Sequence, residues 1–245
     1  MSPQGRRALV LVAAVVAAGI TARLGWWQLD RAAQKNRLQA DWTTQRALPP
    51  LPLQELARTP EQAAAQLQRA VQLQGRWLAA HTVYLDNRQM NGRPGFYVIT
   101  PLALDGSDSV VVVQRGWVQR NFVDRERLPP VETPAGSVQI QGRIAASPPR
   151  LYEFTAAGPP AGSSAIRQNL DLAAFSAETR LKLRPFTVVQ LGEASQGLQR
   201  DWPEAAAGTG KHYGYAFQWF GLSSLLGVLY VWFQFIAPWR KARIA

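Results

Sequence analysis

The sequence predicts a membrane protein in which two transmembrane α-helices, one N-terminal and one C-terminal, flank a single mainly antiparallel β domain, barrel- or sandwich-like, with short helices. Three observations carry that expectation. Residues 213–236 form a run of 24 residues without a charge; at about 1.5 Å per helical residue it reaches roughly 36 Å, against a hydrocarbon thickness of roughly 30 Å. Residues 8–20 are all apolar or small, and the apolar character resumes after Arg23 as LGWWQL. Between these ends lie short segments of alternating polar and apolar residues, each bounded by Gly, Pro, Asn or Asp, which is the pattern of half-buried strands.

The elements follow in order. Residues 1–7 form a short basic tail with Arg6 and Arg7, and residues 8–29 read as the first spanning helix, with Trp26 and Trp27 as an interfacial belt. A cleaved signal peptide has the same opening pattern, but the Trp pair extends the apolar length beyond what such a segment needs. Arg23, a turn or two from the belt, can extend its guanidinium to the headgroups. RAAQKNRLQADWTTQ continues as helix until the proline pairs of LPPLPL stop it. EQAAAQLQRA is weakly helical, and then VQLQGRWL, HTVYLDNR, FYVITPLAL, SVVVVQRGWV and SVQIQGRIA read as strands. The unbroken SVVVVQ indicates a strand buried on both faces, hence a sheet that curls. NLDLAAFSAETRL is a short helix capped by Asn169 or Asp171, PFTVVQLGE a last strand, and residues 147–162 and 202–210 are loops. Residues 30–211 make one β-rich domain, 212–236 the second span, and 237–245 a basic tail.

Charge and composition exclude several classes. The chain carries +11 overall, but residues 30–211 hold 21 Lys or Arg and all 16 acidic residues, so the excess belongs largely to the helix ends. That suits a lipid bilayer with anionic headgroups. The basic residues are scattered and no zinc spacing or basic helix is present, so nucleic acid is not an expected partner. With no cysteine, disulfides, thiolate zinc and iron–sulfur clusters are ruled out. No G-x-S-x-G, GxxxxGK[ST], HExxH or GxGxxG occurs, and Asp124 and Glu126 fall in the alternating charges of DRERLPP, a solvated loop; no catalytic residue is expected and the protein is not read as an enzyme. Basic residues near the helix ends tie, five on the terminal side and five on the domain side. Long domains translocate largely regardless of charge, which favours cytoplasmic termini and an external domain; without an Arg- and Ser-rich leader, a bacterial inner membrane is the expected site.

Only His81 and His212 can supply imidazole. His212 stands at the mouth of the second span. On an ideal helix it shares a face with Tyr215, Ala216, Trp219 and Ser223, and Gly214, Gly221 and Gly227 lie nearby. Flat rings and small residues beside one imidazole suit a porphyrin whose iron takes that imidazole as an axial ligand. The same residues equally suit a headgroup anchor, an aromatic belt and glycines for helix packing. In the domain, GRPGF and RGW place glycines at turns or close approaches, and Arg93 and Arg115 are able either to pair with carboxylates or to hold strand connections together.

LGWWQLDRAAQKNRLQ, YLDNRQMNGRPGFYVITPL, VVVVQRGWVQR, QNLDL and KHYGYAFQWF resemble, in that order, the signature blocks of the Surfeit locus protein one family; Gln119 stands where the family pattern usually has proline. The resemblance implies an assembly factor for cytochrome c oxidase or a related haem-copper oxidase: a multi-pass inner-membrane protein with cytoplasmic termini and a periplasmic domain. It further implies haem a as bound cargo, His212 as the axial ligand of the haem iron, Tyr215 and Trp219 as pocket residues, and the oxidase core subunit and the haem a synthesis machinery as partners. A cofactor-free scaffold that stabilises an oxidase assembly intermediate is the alternative.

Overall fold

The computed structural model describes residues 2–124, 127–152, 165–203 and 209–244. Glu126, residues 153–162 of the expected loop and residues 204–208 of the expected link lie outside them, as do the side chains of Lys241 and Arg243. The chain divides into two compact units, one made of residues 1–41 with 204–245 and the other of residues 42–203.

The first unit is helical. Helix α1 (Pro3–Ala47) runs without a break through the apolar segment and its polar continuation, and it stops just before Pro49 and Pro50. The later helices are α4 (Thr209–Val231) and α5 (Ala237–Ile244), joined by a π-helical turn over Trp232–Ile236. In that turn the Ala237 N–H donates to Trp232 O. Pro238 follows immediately; its ring would crowd the Gln234 carbonyl in a regular α-helix, and the wider turn relieves this. Both Gln4–Ala47 and Thr209–Arg240 contain stretches long and apolar enough to cross a membrane.

The second unit is a barrel. Its strands are β1 (Ala70–Trp77), β2 (Val83–Met90), β3 (Arg93–Leu104), β4 (Val110–Gln119), β5 (Ser137–Ala145), β6 (Ile166–Arg167) and β7 (Leu183–Gln190). Pairing runs β1–β5–β7–β4–β3, and β3 returns to β1, so five strands close on themselves while β2 and β6 extend the sheet from β3. All pairs in the ring are antiparallel except β4–β7. This is the connectivity of a five-stranded Greek-key barrel of the OB type. Closure turns on Gly75, which pairs with both Val138 of β5 and Leu104 of β3. A Cβ there would lie 2.2 Å from the Ala103 carbonyl oxygen, so only glycine lets β1 bend between its two neighbours.

The valine run explains itself in this frame. Val111 and Val113 point into one core with Leu73, Leu102, Ile140, Ile144, Phe186 and Val188, joined by Leu51, Leu56, Ala57 and Ala63 from the segment before β1. Val112 points the other way, into a second core with Val83, Leu85, Ile99, Trp117 and Phe175 of helix α3 (Leu172–Thr179). Asp171, not Asn169, caps α3, accepting from Ala174 N at 2.9 Å. Asn169 instead joins Leu151 through two bonds of 2.8 Å. The two-residue β6 and the short helix α2 (Pro60–Ala65) complete the unit. Arg167 of β6 forms a forked ion pair with Glu178 of α3, at 2.8 and 2.5 Å.

Arg115 occupies a bulge: Val98 pairs with Gly116 and Ile99 with Gln114, leaving Arg115 without a partner position on β3. Its side chain is fully buried. Nη1 donates to Thr133 Oγ1 at 2.8 Å, Nη2 to Glu132 O at 2.6 Å and Gln196 Oε1 at 2.5 Å, and the guanidinium lies 4.7 Å from the Trp77 ring centre. Burial first, and then the charge of Arg200, push its pKa down to about 10. It fastens the loops after β4 and β7 to the barrel through neutral acceptors.

Arg115→Lys keeps a cation but loses the fork and the ring contact. Urea unfolding of the detergent-solubilised protein, followed by tryptophan fluorescence, should show a loss of about 2 kcal/mol. The Glu178 carboxyl is held below its ordinary pKa, chiefly by the Arg167 hydrogen bond. Its contribution is therefore complete above the unfolded carboxylate pKa and is lost as pH falls through the folded value. Glu178→Gln should lower stability by about 1 kcal/mol near neutrality and flatten the acid limb of the stability–pH curve; an unchanged slope would exclude this pair as a source of acid sensitivity.

Candidate functional site

The helical unit is built on a repeating seam. In α1, the less exposed positions Ala14, Ala18, Thr21, Gly25, Gln28 and Ala32 alternate spacings of four and three, and all but Gln28 are small. In α4 the matching positions are His212, Ala216, Trp219, Phe220, Ser223, Leu226 and Tyr230. The helices run antiparallel, since Ser223 Oγ donates to Ala18 O at 3.0 Å while His212 meets Gln28 ten residues further along α1. Close approach and hydrogen bonds hold the two helices together. Gly25 permits the approach: a Cβ there would sit 2.8 Å from the Phe220 ring, which also meets Trp26 edge-on at 6.0 Å. Thr21 satisfies its own hydroxyl within α1, donating to Ala17 O and Ala18 O at 3.0 Å.

Polar side chains gather where α4 begins. His212 Nδ1 lies 2.8 Å from Gln28 Oε1, and Asn36 Nδ2 donates to the Tyr213 hydroxyl at 3.2 Å. The other imidazole nitrogen, Nε2, has no hydrogen-bond partner among the described residues, and His212 is half-buried. Tyr215, one turn on, is 51% exposed, and Trp219, one turn further, is half-buried. His212 and Trp219 thus lie on the seam and Tyr215 outside it.

This arrangement corrects part of the expected face. Ala216 and Ser223 are engaged with α1 and are not open to a flat ligand, whereas Tyr215 lies outside the contact. Sequence periodicity placed these residues on one side of a helix but contained no signal for which arc the first helix covers. The expected packing role of the glycines also differs: at Gly214, Gly221 and Gly227 an added Cβ meets nothing within 4 Å, so they do not serve the α1 contact. Gln28 and Asn36 were not among the expected site residues; the four–three spacing of small residues in α1 was the available signal. Arg93 is exposed beside the Asn91–Gly92 turn and Arg115 is buried in the bulge, so the two are not brought together. His81 belongs to a short turn of the barrel unit, Ala79–His81.

Chemically, the helical site offers one imidazole nitrogen without a hydrogen-bond partner among the described residues. Among the described residues no group of three His, Asp or Glu is placed to hold a bare metal ion. A single imidazole nitrogen is a donor of the kind that would hold a haem iron, and His212 is the residue that would supply it.

The SURF1 family model matches residues 15–224. A SURF1-like protein of Rickettsia felis is 29% identical over 218 residues, covering 85% of this chain and 89% of the relative. One from Rickettsia bellii is 29% identical over 222 residues, covering 84% and 83%. The cytochrome oxidase assembly protein SHY1 of Saccharomyces cerevisiae is 31% identical over 100 residues, which is 41% of this chain and 25% of the yeast protein. Since the matched region begins inside α1, crosses the whole barrel and ends inside α4, with Gln28 and His212 both within it, the chain belongs to the SURF1 family.

Proposed function

We propose that this protein is an assembly factor for a haem-copper (cytochrome c) oxidase, which holds haem a through His212 and assists its insertion into the oxidase core subunit. Membership of the SURF1 family and the yeast relative, a cytochrome oxidase assembly protein, support oxidase assembly. The observation that carries the haem reading is the divided state of the His212 ring: one nitrogen is tied to Gln28 and the other has no hydrogen-bond partner among the described residues, with Tyr215 and Trp219 one and two turns on along the same helix. A carrier must release what it holds, and a single imidazole at the bilayer edge provides reversible ligation without enclosing its cargo. In this reading no bond of a substrate is made or broken, so the protein is not an enzyme. Its partners are the core subunit and the haem a synthesis machinery. It works from a bacterial inner membrane, with both termini cytoplasmic, residues 30–211 periplasmic, and residues 8–29 and 212–236 in the bilayer.

One observation favours a second reading. Gly214, Gly221 and Gly227 leave part of α4 without near neighbours, a surface on which a helix of an assembly intermediate would find close approach. The protein would then be a cofactor-free scaffold.

The His212→Ala variant separates the two. Protein purified in detergent from cells that make haem a should carry a Soret band in the wild type, and the variant should lose most of it or show it displaced. In a strain lacking the protein, the variant should restore little oxidase activity. An unaltered spectrum would remove His212 as ligand, and full restoration of oxidase would favour the scaffold. A third measurement concerns the seam: because the chain has no cysteine, cysteines placed at Ala18 and Ser223 should cross-link on oxidation, and Gly25→Leu, by driving a side chain into Phe220, should reduce that cross-link severalfold.

A further inference from the structure

We infer that Gln28 is the positioning residue for His212: its side-chain carbonyl holds the ring proton on Nδ1 and so keeps the lone pair on Nε2. The inference rests on the reading of His212 as a haem ligand for its purpose, but not for its geometry. A neutral imidazole carries one N–H, and which nitrogen bears it is set by the partner of the other. Gln28 presents Oε1, an acceptor with no proton to give, at 2.8 Å from Nδ1. The proton therefore belongs on Nδ1, and Nε2 is left as a bare donor with no competing hydrogen bond among the described residues.

The helix seam fixes this contact. Gln28 follows the tight Gly25–Phe220 contact by one turn, and Asn36 anchors Tyr213, the residue after His212, two turns further along α1. With the Ser223–Ala18 bond beyond them, the register of α4 against α1 is fixed at both ends of this stretch. The ring can rotate little without breaking the Gln28 bond.

The choice of an amide also has chemical content. A carboxylate at this place would draw the Nδ1 proton towards itself and make Nε2 a stronger, more imidazolate-like donor. Gln28 orients the ring without that added basicity, which suits a ligand that has to let go. Among the described residues the Gln28 side chain hydrogen-bonds to His212 alone, so it acts through the ligand.

The test needs no haem. With only two histidines in the chain, full-length apo protein labelled with 15N-histidine, held in detergent above the ordinary imidazole pKa of about 6.5, gives two ring patterns by long-range proton–nitrogen NMR. His81→Gln assigns them. The wild type should show His212 in the Nδ1–H form; Gln28→Leu should shift it towards the Nε2–H form that free imidazole side chains prefer, and Gln28→Glu should retain Nδ1–H. A wild-type His212 found as Nε2–H overturns the proposal, as does a Gln28→Leu protein that keeps the Ala18–Ser223 cysteine cross-link and an unchanged tautomer. If Gln28→Leu fails to fold, the wild-type pattern alone decides. In haem-loaded protein Gln28→Leu should shift the Soret maximum and Gln28→Glu should slow haem release to an apo-haemoprotein acceptor. A confirmed Nδ1–H form in a protein whose Soret band ignores His212→Ala would sink the haem reading and leave the role of Gln28 standing.

Discussion

Close approach at Gly25 is the constraint on which the helical unit depends. The pairing of the two apolar helices rests on dispersion over short distances and on hydrogen bonds. Gly25 admits the Phe220 ring, Ala18 exposes a carbonyl to Ser223, and the small side chains of Ala14, Thr21 and Ala32 continue the groove. Gln28 is the one large residue in that series. Its length lets it reach across to the imidazole, so the same periodicity that pairs the helices also orients the candidate ligand.

The barrel solves a different problem with different means. Here water drives association, and the two cores share strands β3 and β4, which are buried on both faces. Among the described residues its buried cations form no ion pair: Arg115 leans on Thr133, Gln196, a backbone carbonyl and the Trp77 ring, Arg184 on the carbonyls of Leu56 and Ala57 and on Ser109, and Arg88 on Gln168 O and Asn169. Such charges gain from many small dipoles fixed by the chain. The RGW block reads as architecture on these grounds, with Arg115 in the bulge and Trp117 donating its indole N–H to Arg88 O.

Much of this was legible beforehand. The two long apolar helices followed from uncharged length, the strands from alternation, and the curled sheet from the valine run, because each is a property of nearby residues. What stayed hidden depends on contacts between distant ones. Gly75 looks like any strand glycine until β3 is known to pass beside it. Ile166 and Arg167 make a strand only because β2 offers them an edge. Tyr215 and Ala216 are neighbours with opposite fates, decided by the arc of α4 that α1 covers. The imidazole was found by counting histidines; its amide partner, 184 positions away, was not.

The place of β7 in the barrel has a temporal consequence. This strand is the last of the ring to leave the ribosome, yet it lies between β4 and β5 and not at a free margin. Until residues 183–190 exist, the sheet has a gap in its wall, and the parallel β4–β7 pairing requires a long loop to be closed before any contact rewards it. Helix α4 is synthesised directly afterwards. Completion of the barrel and arrival of the imidazole-bearing helix therefore fall in the same late interval of biosynthesis, so a nascent chain would acquire its donor nitrogen only when its sheet is ready to close.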